Sequence, residues 1–250
     1  MSQAIQPEPH LLLLPGLACD AEVWKHQASV FSDFTSVQIA EYGASDSLEE
    51  MAQVVLRGAP ERFALAGHSM GGRVAFEILR RAPGRVAGLA VLDTGYKPLE
   101  AGAAGERERS ERLAFVELAQ TQGMRAMARQ WVRNMVHPDR LADAALIEAI
   151  VGMLGRKSSE IFRAQIEALL HRPDATAVLG EIRCPTLVLC GREDAWSPLS
   201  RHQEIAARIP GSRLAVIEHC GHMATMEQPE AVTAALREWM LDVTASRKSF

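Results

Sequence analysis

Gly67-His68-Ser69-Met70-Gly71 is the segment whose residue types and spacing could do chemistry. A serine hydroxyl is a weak nucleophile at neutral pH. It becomes useful when a base takes its proton and amide donors receive the oxyanion that forms. The G-x-S-x-G spacing serves this purpose where a strand enters it and a helix leaves it. Side chains at positions 67 and 71 would strike the backbone of so tight a turn, and Ser69 is lifted above the sheet edge in a strained conformation. The helix amino terminus beneath adds unpaired N–H groups and a positive dipole end, with the Met70 amide as one oxyanion donor. A base and an acid must come from elsewhere. His219 and His222 are candidate bases, while Glu193, Asp194 and Asp93 are candidate acids. His68 neighbours the serine but should point away from it, and His26, His137, His171 and His202 read as surface or packing residues.

The elements that must position these groups are written in the apolar pattern. Short apolar runs at His10–Leu14, Val37–Ala40, Phe63–Ala66 and Val86–Leu92 read as strands, with helical patterns at Leu48–Arg57 and Met70–Arg81 between them. After a gap the alternation resumes: strands at Pro185–Cys190 and Leu214–Ile217, helices at Ser200–Arg208 and Pro229–Leu241. Such alternation predicts a mostly parallel sheet covered by helices on both faces. The strand before Gly67 and the helix after Ser69 are the context that the motif requires. Residues 97–178 carry no strand pattern. Helices are predicted there at Glu106–Gln120, Met124–Val136, Leu141–Leu154 and Ser159–Leu170, the first opening on a charge run that reads as a solvated face.

Composition excludes several classes. The chain has 250 residues, 48% hydrophobic and 23% charged, with a net charge of −4. That is a globular balance, and an isoelectric point near 6.1 argues against a nucleic-acid binder. Met1–His10 contains Glu8 but no Lys or Arg, and Leu11–Leu14 is too short for a signal or membrane segment, so a cytoplasmic protein without membrane attachment is expected. Cys19, Cys184, Cys190 and Cys220 form no C-x-x-C and no zinc-like spacing. They read as free thiols in a reducing compartment, with no metal and no cofactor expected. Cys19 and Cys220 fall close to the proposed site in sequence, so their alkylation is expected to slow turnover.

With these motifs in view, the chain from Leu11 to about Leu241 resembles the α/β-hydrolase family. That family orders nucleophile, acid and histidine along the chain, which implies Ser69, Asp194 and His222. The acid lies three residues past Gly191 and the histidine follows Gly221, as in the family's loops. Asp93, at the end of an earlier strand, stays open as an alternative acid because some members carry it there. Leu14-Pro15-Gly16-Leu17 stands where relatives have His-Gly-x-x, which implies the Leu17 amide as the second oxyanion donor beside Met70. Pro15 makes that loop match looser.

The resemblance also implies an α/β fold with a mostly parallel central sheet flanked by helices and a helical lid inserted after the sixth strand. Residues 1–96 and 179–250 would form the core and 97–178 the lid. Met124, Met127, Trp131 and Met135 follow helical spacing and would pack the lid, while Met127, Trp131, Trp196 and Met223 are candidates to line an apolar substrate pocket. Arg125, Arg129, Arg133 and Arg163 could supply an anion clamp from the lid, although arginines on helix faces are usually solvated. Within the family the chain looks most like small bacterial esterases and lactonases, including 3-oxoadipate enol-lactonases and pimeloyl-carrier methyl-ester esterases. The implied activity is hydrolysis of a small carboxylic ester or lactone through an acyl-enzyme on Ser69. The alternatives are carbon–carbon bond hydrolysis, perhydrolysis, and a ligand-binding or signalling role on the same fold. The oligomeric state stays open.

Overall fold

A computed structural model describes residues 9–247. The polar stretch ending at Glu8, on which part of the leader expectation rests, lies outside the described residues. Six strands form one sheet in the order β2-β1-β3-β4-β5-β6: β1 His10–Leu14, β2 Val37–Ile39, β3 Phe63–His68, β4 Val86–Leu92, β5 Thr186–Gly191 and β6 Arg213–Ile217. Every neighbouring pair is parallel. The central strands β3, β4 and β5 are buried along their whole length, as continuous apolar runs in a parallel sheet covered on both faces must be. The chain reverses its direction across the sheet between β1 and β3. A crevice opens there beyond the carboxyl ends of the strands.

Helices α1 Lys25–Phe31, α2 Leu48–Gly58 and α3 Met70–Arg81 connect the first four strands. Ser47 caps α2 by accepting from the Glu50 amide, and Glu49 and Glu50 fill its first turn. Between β4 and β5 run α4 Ala103–Gln122, α5 Met124–Trp131, α6 Ala144–Gly155, α7 Ser159–Leu170 and α8 Thr176–Glu181. The carboxyl-terminal part adds α9 Leu199–Arg208, α10 Ala224–Glu227 and α11 Pro229–Arg247. Among the described residues no helix is long and apolar enough to cross a membrane.

Three expectations need correction. The helical segment follows the fourth strand of six, not a sixth strand, because only four strand segments precede it among the described residues. Its expected end at residue 178 falls inside α8, which packs against α3 and α9, so the helical segment proper ends with α7. The predicted helix over Met124–Val136 also stops at Trp131, where a short 3-10 turn over Val132–Asn134 takes over.

Candidate active site

β3 delivers Ser69 to the crevice, and the backbone there carries the strain expected of such a turn. Ser69 has φ 53° and ψ −115°, a region that a residue with a Cβ seldom adopts. A Cβ at Gly67 would lie 2.4 Å from the Gly71 carbonyl oxygen, and one at Gly71 would lie 2.1 Å from the Leu14 carbonyl oxygen. Glycine at both positions lets β1, β3 and α3 meet at one point.

The loops after β5 and β6 bring the acid and base to the same point. His222 Nε2 lies 2.8 Å from Ser69 Oγ, and its Nδ1 lies 2.8 Å from Asp194 Oδ2. The other carboxylate oxygen of Asp194 accepts from the amides of Trp196 and Ser197, each at 2.8 Å. Burial alone would raise the Asp194 pKa. The His222 imidazole, its hydrogen bond and the two amides outweigh that effect and hold the carboxyl below its ordinary range. An ionised acceptor at Oδ2 fixes the proton on Nδ1, which leaves the Nε2 lone pair facing the serine hydroxyl.

Asp93 makes the opposite case. It too is fully buried, at the end of β4 with φ 51°. Oδ1 accepts from the Gly191 amide at 2.9 Å, but Oδ2 has no hydrogen-bond partner among the described residues. Burial, followed by the nearby Asp194, pushes its carboxyl well above the ordinary range, and the Gly191 amide only partly opposes this. His222 is bonded to Asp194 and not to Asp93.

His68 does point away from Ser69, yet it supports the site. Its Nε2 lies 2.8 Å from the His222 carbonyl oxygen and donates to it. Burial, and then His222, lower its pKa to about 3, so the ring stays neutral. Gly16 sits against His68 and Ser69, which brings the loop after β1 to the nucleophile. The Leu17 amide in that loop has no hydrogen-bond partner among the described residues, and the Met70 amide opens α3, where no intrahelical acceptor exists. The next amide, Ala18, donates to Gln165 Oε1 at 2.8 Å, tying this loop to α7.

Glu227 is a second support that sequence reasoning missed. Its buried carboxylate accepts from the amides of Gly221 and Met223 at 3.1 Å and from His137 at 2.7 Å. The His222 amide in turn donates to the Met135 carbonyl at 2.6 Å. The histidine loop is thus stitched to the turn between α5 and α6, in the middle of the helical segment. An acidic residue beside Gln228-Pro229 gives no pattern that could have announced this, because its partners come from distant segments.

The cavity above Ser69 has a volume of about 500 Å³. Of the expected pocket residues, Trp131 and Trp196 line it, their rings 5.0 Å apart, with Trp196 also 5.0 Å from the His222 ring. Met127 and Met223 do not line it. Both are fully buried; the helical stripe divides, with Trp131 and Met135 turned to the cavity and Met127 in the packing between helices. Phe115, Met135, Phe162, Ile166 and Leu169 extend the apolar wall. None of Arg125, Arg129, Arg133 and Arg163 reaches the cavity, and Arg125 pairs with Glu148 instead. The charge run of α4 is not wholly solvated either, since Glu108 and Arg112 turn inward to the cavity wall. Among the described residues no group of three or more His, Cys, Asp or Glu side chains is placed to hold a metal ion.

The comparison with known families decides the affiliation. The model of the alpha/beta hydrolase family matches residues 11–235. The chain belongs to this family. It is 27% identical to the pimeloyl-[acyl-carrier protein] methyl ester esterase of Nitrosomonas europaea, over 89% of this chain and 92% of that protein. A 2-succinyl-6-hydroxy-2,4-cyclohexadiene-1-carboxylate synthase of Escherichia coli is 26% identical over 92% of this chain and 93% of its own length. Among solved structures, a thermophilic esterase from Thermogutta terrifontis with malate bound superposes with a TM-score of 0.84 at 30% identity, covering 95% of this chain and 91% of that one. The enol-lactonase of Burkholderia xenovorans shares the fold with a TM-score of 0.81 at 20% identity, over 94% of this chain and 92% of its own.

Proposed function

We propose that this alpha/beta hydrolase cleaves a small carboxylic ester or lactone through an acyl-enzyme on Ser69. The observation that carries the reading is the continuous relay from Asp194 through His222 to Ser69, with both links at 2.8 Å. His222 Nε2 takes the hydroxyl proton as Ser69 Oγ attacks the acyl carbon, then returns it to the leaving alcohol. Asp194 stabilises the imidazolium formed between those steps. The Leu17 and Met70 amides hold the oxyanion of the tetrahedral intermediate. Water, activated by the same imidazole, then cleaves the acyl-enzyme and restores Ser69. The helical segment from α4 to α7 acts as a lid over the sheet core, and Trp131 and Trp196 flank the acyl or alcohol group. The esterase relatives support the choice of ester over other triad chemistry.

The test is turnover of a short-chain p-nitrophenyl ester and of a panel of lactones. Ser69→Ala should lower kcat by about 10⁶. Undiminished turnover in Ser69→Ala would overturn the reading. Absence of ester and lactone turnover, with Ser69 still reactive toward a fluorophosphonate, would move the chain to carbon–carbon cleavage or perhydrolysis.

A further inference from the structure

Four arginines form a ridge along one wall of the cavity that holds Ser69. Arg73 and Arg172 both donate to the Lys97 carbonyl oxygen, at 2.9 and 3.3 Å. Arg172 grips Glu108 through two nitrogens at 2.7 and 2.8 Å, and Arg112 Nε bonds the same carboxylate at 2.8 Å. On the other side, a Cβ at Gly95 would lie 2.6 Å from Arg73 Nη2 and 3.1 Å from Arg201 Cδ, so these two side chains close over the glycine. Arg201 donates to the Trp196 carbonyl at 2.9 Å. Among the described residues, Glu108 is thus the one carboxylate paired within a ridge of four guanidiniums. Lys97 at the exposed edge has its own partner in Glu204 at 2.7 Å, and Glu100 and Glu111 stand exposed at the rim.

This surplus of charge has a direction. Arg73 follows Ser69 by four residues at the start of α3, one helical turn on, so it faces the cavity from the same side as the nucleophile. Its hydrogen bond to protein is to a carbonyl, and among the described residues no carboxylate forms an ion pair with it, Glu108 acting on it only from a distance. Burial, then Arg172, Arg201 and Arg112, push its pKa well below the ordinary value. A guanidinium does not give up its proton in a protein, so the repulsion persists until an anion enters. Guanidinium forks recognise carboxylate and phosphate oxygens through paired N–H donors.

We propose that Arg73 and Arg201, framed by the Arg172–Glu108–Arg112 cluster, bind an anionic oxygen group, carboxylate or phosphate, carried by the substrate away from the scissile ester. The inference rests on Ser69 as the nucleophile. The substrate class becomes an ester or lactone with an apolar stretch, set against Phe115, Phe162 and Ile166, and an anionic end on the arginine ridge.

Two esters of equal chain length test this: monomethyl adipate, which carries a carboxylate, and methyl hexanoate, which does not. Wild-type protein should favour the anionic ester in kcat/KM by about 10–100-fold. Arg73→Gln should collapse that ratio toward one, chiefly through KM, and Arg73→Lys should restore part of it. Exposed Arg129→Gln should leave the ratio as in wild type. A second arm needs no turnover. Ser69→Ala is titrated calorimetrically with glutarate and with inorganic phosphate; saturable binding that disappears in Ser69→Ala/Arg73→Gln supports the ridge, and the tighter of the two anions names the source. A wild-type ratio near one, a ratio unmoved by Arg73→Gln, or failure of both anions to bind would overturn it. Turnover that survives Ser69→Ala would instead defeat the nucleophile assignment and leave the binding arm to decide the ridge.

Discussion

β4 and β5 lie side by side in the sheet, and each runs into a buried aspartate at its carboxyl end. Asp194, after β5, receives two backbone amides and an imidazole, and is held charged. Asp93, after β4, has the Gly191 amide within hydrogen-bond distance of one oxygen and only weaker support at the other, from the Ala224 amide and a His68 ring nitrogen 3.7 Å away, so burial drives it toward the neutral form. Burial therefore does not separate the two; the supply of donors does. A carboxylate serves an imidazolium only where the fold has already covered its charge with hydrogen bonds. The turn at Asp194-Ala195-Trp196-Ser197 provides that cover, and the corner at Asp93-Thr94 does not.

Substitution can break or sharpen this contrast. Asp194→Asn should lower kcat by about 10⁴, since the amide cannot hold the needed tautomer of His222. Asp93→Asn, nearly isosteric with a neutral acid, should change kcat by less than about tenfold. Steady-state kinetics on one ester decides between them, and an equal loss in both variants would erase the distinction. The next largest effect belongs to Glu227. Glu227→Gln places a donor against the amides of His137 and Gly221, loosens the His222 loop, and should cost kcat about 100-fold with KM little changed. A KM-dominated loss would place the effect in the cavity instead.

Acid stability is a smaller effect with a definite sign. His68 and His202 stay neutral in the fold down to about 3 and about 4, because burial opposes their charging. Unfolded histidines take up protons near pH 6.5. Both folded values lie below the unfolded one, so the contribution is fully present above about pH 6.5 and fades as pH drops toward 4, by about tenfold in the folding equilibrium per unit for each histidine. Asp93 has the opposite sign, its raised pKa favouring the fold as pH falls. Urea midpoints between pH 7 and 4 should decline less steeply in His68→Asn than in wild type; an unchanged slope would contradict the assignment.

The smallest effect concerns the thiols. Burial pushes Cys19 up to about 12 and raises Cys220 as well, so neither thiolate is available near neutral pH. Treatment with iodoacetamide at pH 8 should leave ester turnover unchanged. Loss of activity tracking modification at Cys19, which lines the cavity, would show that the sequence expectation was right.

The parts of the site legible in the sequence are those set by local rules. The strand–turn–helix around Ser69 follows from apolar runs and two glycines, and α3 begins and ends where its pattern does. Asp194 and His222 were found through the family's order and their places past β5 and β6. What escaped depends on which distant segments meet. Helical spacing showed that Met127 faces inward, but not whether inward meant core or cavity. The same limit hid the inward turn of Glu108 and Arg112, the contact of His68 with the His222 carbonyl, and the Glu227 latch across 90 residues to His137.

The central claim is that Ser69 is a nucleophile activated through His222 by Asp194 and not by Asp93. The most direct measurement is peptide mapping after reaction with a fluorophosphonate, comparing wild type, Asp93→Asn and Asp194→Asn. One adduct is expected, on Ser69, formed at similar rates in wild type and Asp93→Asn and far more slowly in Asp194→Asn. An adduct on another residue, or slowing confined to Asp93→Asn, would contradict it.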